Sequence, residues 1–205
     1  MTPDPLLSLA QLVPDTEAEG PGRRFAVWFQ GCPLRCPGCC NPEFLPFAGG
    51  TPTRLSDLVA TLDETAGLEG VSLLGGEPFA HPAAADFARA VQSRGLGVMV
   101  YSGYTVVRLR AMPVAAGLLA ATDLLVDGPY LRDQPEAERR WVGSRNQQVH
   151  FLTPRYDPAD PCWTRRNTLE IRVRGGEVAV NGFPAVRAVG LWKPKWQRKG
   201  QSAQP

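Results

Sequence analysis

Cys32, Cys36 and Cys39 stand in Gly31-Cys32-Pro33-Leu34-Arg35-Cys36-Pro37-Gly38-Cys39, a C-x3-C-x2-C spacing. Three thiolates in so short a loop can hold three irons of a cubic [4Fe-4S] cluster. The fourth iron is then left without a protein ligand, open to a substrate or cofactor. The competing chemistry is zinc, which takes four tetrahedral ligands, usually from paired C-x2-C units or from cysteine with histidine. No second pair follows, and Cys40, adjacent to Cys39, is poorly placed to bind the same metal. His81 or Cys162 would have to complete a zinc site.

Other chemistries have little to work with. Histidine occurs only at 81 and 150, so catalysis by histidine bases is poorly supplied. Lysine occurs only at 193, 195 and 199, which argues against a Schiff-base lysine in a folded core. The net charge of +2 gives no reason to expect nucleic acid. No apolar run is long enough to span a membrane, and no signal peptide opens the chain. Four of the five cysteines crowd into residues 32–40, unlike a secreted disulfide scaffold. A reducing compartment, the cytoplasm, is expected.

The 205 residues, 43% of them hydrophobic, suffice for one folded domain. Residues 1–22, rich in proline and glycine, read as an N-terminal arm with Leu6, Leu7, Leu9, Leu12 and Val13 packing somewhere. Phe25 to Phe29 is a short apolar strand leading into the cysteine loop. Leu55, Leu58, Val59 and Leu62 predict an amphipathic helix over 54–66, capped by Thr53 or Ser56. A second strand, 70–74, ends in Gly75-Gly76-Glu77-Pro78. A helix over 82–94 leads to a third strand, 97–101, ending in Ser102-Gly103-Tyr104. Helix over 104–121 leads to a fourth, 123–126, ending in Asp127-Gly128-Pro129.

Apolar strands alternating with helices predict βαβ units, and right-handed crossovers bring every strand's C-terminal end to one edge. The expected fold is α/β: a partial, open TIM-like barrel of parallel strands over residues 23–153, with helices outside. The four loops then gather at one rim, where such folds build their sites. A small C-terminal extension, 154–192, carries a hairpin around Gly175-Gly176. Residues 193–205 read as a disordered basic tail.

Cys32-x3-Cys36-x2-Cys39, with Gly75-Gly76-Glu77-Pro78 after the next strand, resembles the radical S-adenosylmethionine superfamily. Tyr101-Ser102-Gly103-Tyr104, Leu125 to Tyr130 and Gly143-Ser144-Arg145-Asn146-Gln147 further resemble the small activating enzymes of anaerobic ribonucleotide reductase. The likeness covers roughly residues 25–150. Many motifs of the superfamily carry an aromatic residue where Gly38 stands; the small activating enzymes accept glycine there.

The resemblance implies that S-adenosylmethionine chelates the open iron. Gly75 and Gly76, lacking side chains, would approach its methionine amine. Glu77, followed by Pro78, would supply charge there or brace the loop. Gly38, Cys39 and Cys40 would contact the adenosyl part, and Ser102 the ribose or carboxylate. Asp127 reads either as a supporting or cation-site carboxylate or as a cap. The implied reaction is reductive cleavage to a 5′-deoxyadenosyl radical, fed by a donor such as flavodoxin or ferredoxin, that installs a glycyl radical on a large partner protein. The alternatives are radical modification of another peptide or small molecule, and a non-catalytic zinc or cluster module.

Overall fold

Phe25 to Phe29 is apolar at every position because both faces of its strand are covered, the usual mark of a parallel sheet's centre. The structure, a computed structural model, describes residues 4–174 and 177–182. Its strands are β1 (Leu6–Thr16), β2 (Arg24–Phe29), β3 (Thr51–Arg54), β4 (Gly70–Gly75), β5 (Gly97–Tyr101), β6 (Leu124–Asp127) and β7 (Gln148–Phe151). A separate hairpin pairs β8 (Leu169–Arg174) with β9 (Glu177–Gly182).

The main sheet runs β3-β1-β2-β4-β5-β6-β7. β2, β4, β5 and β6 are mutually parallel, as expected, whereas β1, β3 and β7 run antiparallel at the flanks. Residues 6–16, expected as a packing arm, are a strand placed between β2 and β3. Pro14 misled that reading: it sits in an irregularity between Val13 and Thr16, where a ladder tolerates the missing N–H.

Helices α1 (Leu55–Glu64), α2 (Ala84–Gln92), α3 (Val106–Arg110) and α4 (Ala116–Ala120) join the strands. Leu58, Phe87, Val91 and Leu109 bury against Val27, Leu73 and Val100 on one face of the sheet. The caps expected of Thr53 or Ser56 come instead from Asp4, whose carboxylate accepts from the Ser56 N–H at 3.1 Å and hydroxyl at 2.8 Å.

The opposite face holds Ala26, Trp28 and Leu74, then Met99, Leu124 and Val126 under Trp141. It also buries Arg24 completely. That guanidinium donates to Ser72 Oγ at 3.0 Å and Tyr156 Oη at 2.7 Å, and to backbone carbonyls. The hairpin fastens to this side, Gly182 N–H donating to Glu19 Oε1 at 2.6 Å. The expected Gly175-Gly176 turn and the tail lie outside the described residues. No helix among the described residues is long and apolar enough to cross a membrane.

Candidate metal centre

The cysteine loop leaves β2 at Phe29 and is tied off at once. Gln30, only 5% exposed, donates from its side-chain amide to the carbonyls of Glu43 (3.1 Å) and Pro46 (2.7 Å). Gly31 N–H donates to Phe44 O at 2.8 Å and Cys32 N–H to Leu45 O at 3.0 Å. Residues 30–46 thus form a loop stitched at its neck. Sequence reasoning missed Gln30. The available signal was a single amide side chain directly after an unbroken apolar strand.

Within the loop, Cys32 is buried, Cys36 and Cys39 are half-buried, and Cys40 is exposed. Burial pushes the Cys32 thiol up, and the N–H groups of Leu34 and Arg35 pull it back. Burial does the same at Cys36, where the Tyr130 N–H opposes it. Cys39 is the exception. The Cys40 thiol donates to it and, with the Asn41 N–H, lowers it to about 6 against the effect of burial. The same bond raises Cys40. Each of the three thiols therefore faces backbone N–H groups, the environment that stabilises sulfur in its charged form. Arg35 takes the left-handed conformation (φ 49°) between the first two cysteines.

Gly75-Gly76-Glu77 is built onto this loop. Gly76 N–H donates to Phe29 O at 2.8 Å and Glu77 N–H to Gly31 O at 3.0 Å. A Cβ on Gly76 would lie 2.2 Å from Gly31 O, and Gly75 holds φ +100° against the Phe29 backbone. The two glycines thus allow one backbone to lie directly on another. Glu77 is fully buried. Its Oε1 accepts from Phe79 N–H at 3.1 Å and Ser102 Oγ at 3.0 Å, and Oε2 from Gly103 N–H at 2.9 Å. Burial raises its pKa to about 7 against those three donors. These bonds tie the turn after β4 to the end of β5. Pro78 is buried in the short turn that follows.

Ser102 is spent in the same brace: it donates to Glu77 and accepts from Tyr104 N–H at 3.0 Å. Asp127 accepts from Val106 N–H at 2.5 Å, at the start of α3, which is the capping role. His150 Nε2 stands 3.1 Å from the same carboxylate oxygen but lacks hydrogen-bond alignment. Gly38 packs on Arg132 with its φ at +73°. Ser144, Asn146 and Gln147 hold the strand-end loop that presents Tyr130 to Cys36. Ser144 Oγ accepts from Leu131 N–H at 3.1 Å, Asn146 Nδ2 donates to Pro129 O at 2.7 Å, and Gln147 Nε2 to Gly128 O at 2.9 Å. The loops after β2, β4, β5 and β6 therefore do gather at one rim.

Of the two candidates to complete a zinc site, His81 lies beside the neck of the cysteine loop and Cys162 lies on the other face of the sheet. His81 stacks on Phe29 with ring centroids 4.9 Å apart, its Nε2 3.4 Å from Gly31 O. Cys162 packs beside Trp141 and Phe151 on the open face of the sheet. Among the described residues, no three histidine, cysteine or carboxylate groups close on a single point that could hold one metal ion. A cubic cluster makes a different demand, since each thiolate meets its own iron. The Cys32, Cys36 and Cys39 set, with its own N–H donors, fits that demand.

The family described as "4Fe-4S single cluster domain" matches residues 18–150. The chain is 32% identical over 152 residues to an anaerobic ribonucleoside-triphosphate reductase-activating protein of Salmonella typhi, covering 69% of this chain and 97% of the relative. It is 39% identical over 71 residues to a pyruvate formate-lyase-activating enzyme of Clostridium pasteurianum, covering 31% of this chain and 29% of that one. The crystal structure of QueE from Escherichia coli matches 49% of this chain and 53% of its own at a TM-score of 0.40 and 15% identity, too slight a likeness to carry an argument.

Proposed function

The chain belongs to the 4Fe-4S single cluster domain family and to that of the anaerobic ribonucleoside-triphosphate reductase-activating proteins, and from that premise we propose that it is an activating enzyme for a glycyl-radical partner. Cys32, Cys36 and Cys39 would hold one [4Fe-4S] cluster, with S-adenosylmethionine at the fourth iron. Bound together and reduced by one electron from a donor such as flavodoxin or ferredoxin, these groups would supply a 5′-deoxyadenosyl radical, with methionine as the other fragment of the broken carbon–sulfur bond. The hydrogen would come from a glycine of a large partner protein, which is left as the glycyl radical.

What the chain itself contributes can be derived from its residues. Cys39, held near 6, offers a thiolate at neutral pH. Cys32 and Cys36, raised by burial, release protons on ligation. Gln30 fixes the neck of the loop so that the three thiols cannot spread. Glu77 is a positioning residue: it ties the end of β4 to the end of β5 while Gly76 and Glu77 hold the backbone of residues 29–31. Gly75 and Gly76 would then offer an edge of fixed backbone to the methionine end of the cofactor. No histidine base is required.

The observation that carries this reading is the direct hydrogen bonding of the Gly76-Glu77 backbone to Phe29 and Gly31, beside Cys32. The test is anaerobic reconstitution with iron and sulfide, followed by S-adenosylmethionine and a strong reductant. The reading expects a brown protein that yields 5′-deoxyadenosine, and deuterium transfer into it from a glycine-labelled partner. A colourless protein with one zinc per chain sinks the enzyme. Deuterium arriving only from a small molecule or another peptide sinks the glycyl-radical role.

A further inference from the structure

On the open face of the sheet, away from the cysteine loop, lies a cleft of about 460 Å3 lined by Arg140, Trp141, Cys162, Arg165, Arg166 and Glu17, among others. It shares no lining residue with the rim just described.

Two donors in this cleft have no partner among the described residues. Trp141 is 1% exposed, and its indole N–H is buried and unbonded. Arg140 Nε is likewise buried and unbonded, while its Nη2 donates to Thr168 Oγ1 at 2.9 Å. Leaving a buried donor unmet costs about 1–3 kcal/mol. Two in one cleft therefore call for an acceptor.

Their orientation is fixed. The Arg140 guanidinium lies 4.1 Å over the Trp141 ring, which holds both planes together. Trp141 itself takes a positive φ of 60°, uncommon for a bulky residue and costing on the order of 1–3 kcal/mol. Asn167 Oδ1 accepts from its N–H at 2.8 Å and helps impose that conformation. The strain turns a large side chain into the core with its N–H unmet beside an arginine.

Charge selects the acceptor. Three guanidinium groups line the cleft against one lining carboxylate, Glu17, with the Asp160 carboxylate beside Cys162 and Arg165, so the cleft keeps a positive surplus. Cys162 adds no anion, because burial and its bond to Asp160 push its thiol up to about 11. We propose that this cleft binds a phosphate monoester, its dianionic head on Arg140 Nε, the Trp141 indole N–H and the Arg165 and Arg166 forks. Arginine matches phosphate in geometry as well as charge. A carboxylate offers two acceptor oxygens on its head group where a phosphate monoester offers three. A cleft of this size also leaves room beyond the phosphate for an organic group.

Calorimetric titration of the full chain tests this, with inorganic phosphate, glycerol 1-phosphate and AMP as probes and succinate as the carboxylate control, at fixed ionic strength. Saturable binding of a monoester, tighter than inorganic phosphate and about tenfold tighter than succinate, is expected. Arg165 and Arg166 are exposed, so the Arg165→Ala, Arg166→Ala double variant keeps the fold and weakens binding about tenfold or more. Trp141→Phe keeps an aromatic ring, removes the N–H and weakens it about fivefold or more. Absence of saturable phosphate binding, equal binding of succinate, tightest binding of the free ion, or a double variant that binds like the parent overturns the proposal.

Discussion

Ser102 donates its hydroxyl proton to the buried Glu77 carboxylate at 3.0 Å, joining the C-terminal ends of two neighbouring parallel strands. Both residues belong to motifs that invite assignment to a ligand. In the fold each is first a partner of the other. The hydroxyl also accepts from Tyr104 N–H, so one small side chain satisfies groups on both sides of the rim.

Ser102→Ala removes one donor from a carboxylate with no exposure and orphans the Tyr104 N–H. A loss of about 1–3 kcal/mol of stability is expected. Urea unfolding of the cluster-free chain measures it, and an unchanged midpoint shows that the brace contributes nothing.

Gly76→Ala places a Cβ 2.2 Å from the Gly31 carbonyl oxygen, a backbone atom that cannot step aside. A destabilisation of about 2–3 kcal/mol and poor iron uptake are expected together, because the same contact positions the cysteine loop. Gly117→Ala is the control. Its Cβ finds nothing nearer than 3.4 Å and it lies within α4, so stability holds or rises by up to about 1 kcal/mol. Similar behaviour of the two variants refutes the steric account.

Glu19, 4% exposed, has its pKa pushed up to about 7 by burial against the Gly182 N–H, with Glu170 adding repulsion. Below the ordinary value of 4.5 both folded and unfolded chains hold the proton. Between there and 7 the unfolded chain releases it first, so stability falls as pH rises and levels off above 7. The slope is at most about 1.4 kcal/mol per pH unit, the limit for one proton. Glu19→Gln keeps an acceptor for Gly182 and removes the titration. Chemical denaturation at pH 4.5, 6 and 7.5 should show wild type losing ground to the variant as pH rises. Parallel profiles contradict it.

Cys32→Ala, Cys36→Ala and Cys39→Ala should each lose most of the iron bound on anaerobic reconstitution, whereas Cys162→Ala should keep it. Cys40→Ala should keep it too but bind it with a steeper pH dependence near neutrality, since Cys39 loses the donor that holds it near 6. Iron analysis with the visible absorption spectrum decides. Full iron in a variant of Cys32, Cys36 or Cys39 removes that residue from the ligand set.

The parallel strands β2, β4, β5 and β6 and the helices between them were legible because their apolar residues repeat at helix or strand periods, and the strand-end loops follow directly from that order; β3, a polar Thr51–Arg54 edge strand without such a period, was not. β1 was hidden by Pro14, whose tolerance depends on a bulge that only pairing reveals. Ser144, Asn146 and Gln147 stand in one polar loop motif whose spacing does not name their partners. They are braces for Gly128 to Leu131, about 13 to 19 residues back in sequence, and composition carries no sign of such pairings. Buried Arg24 was passed over for the same reason, since its acceptors are scattered from Pro21 to Tyr156.

Asn181 Nδ2 donates to Thr16 Oγ1 and Gly182 N–H to Glu19, across 165 and 163 residues of sequence. A ribosome working at about 5–20 residues per second releases the first partners on the order of 10 s before the last. The sheet has all its strands once Phe151 has emerged. Glu19, by contrast, waits for its donor until β9 leaves the tunnel. Synthesis therefore ends, for the described part of the chain, by latching its last strand onto its first, and a nascent chain halted before β9 would carry a complete sheet with that latch still open.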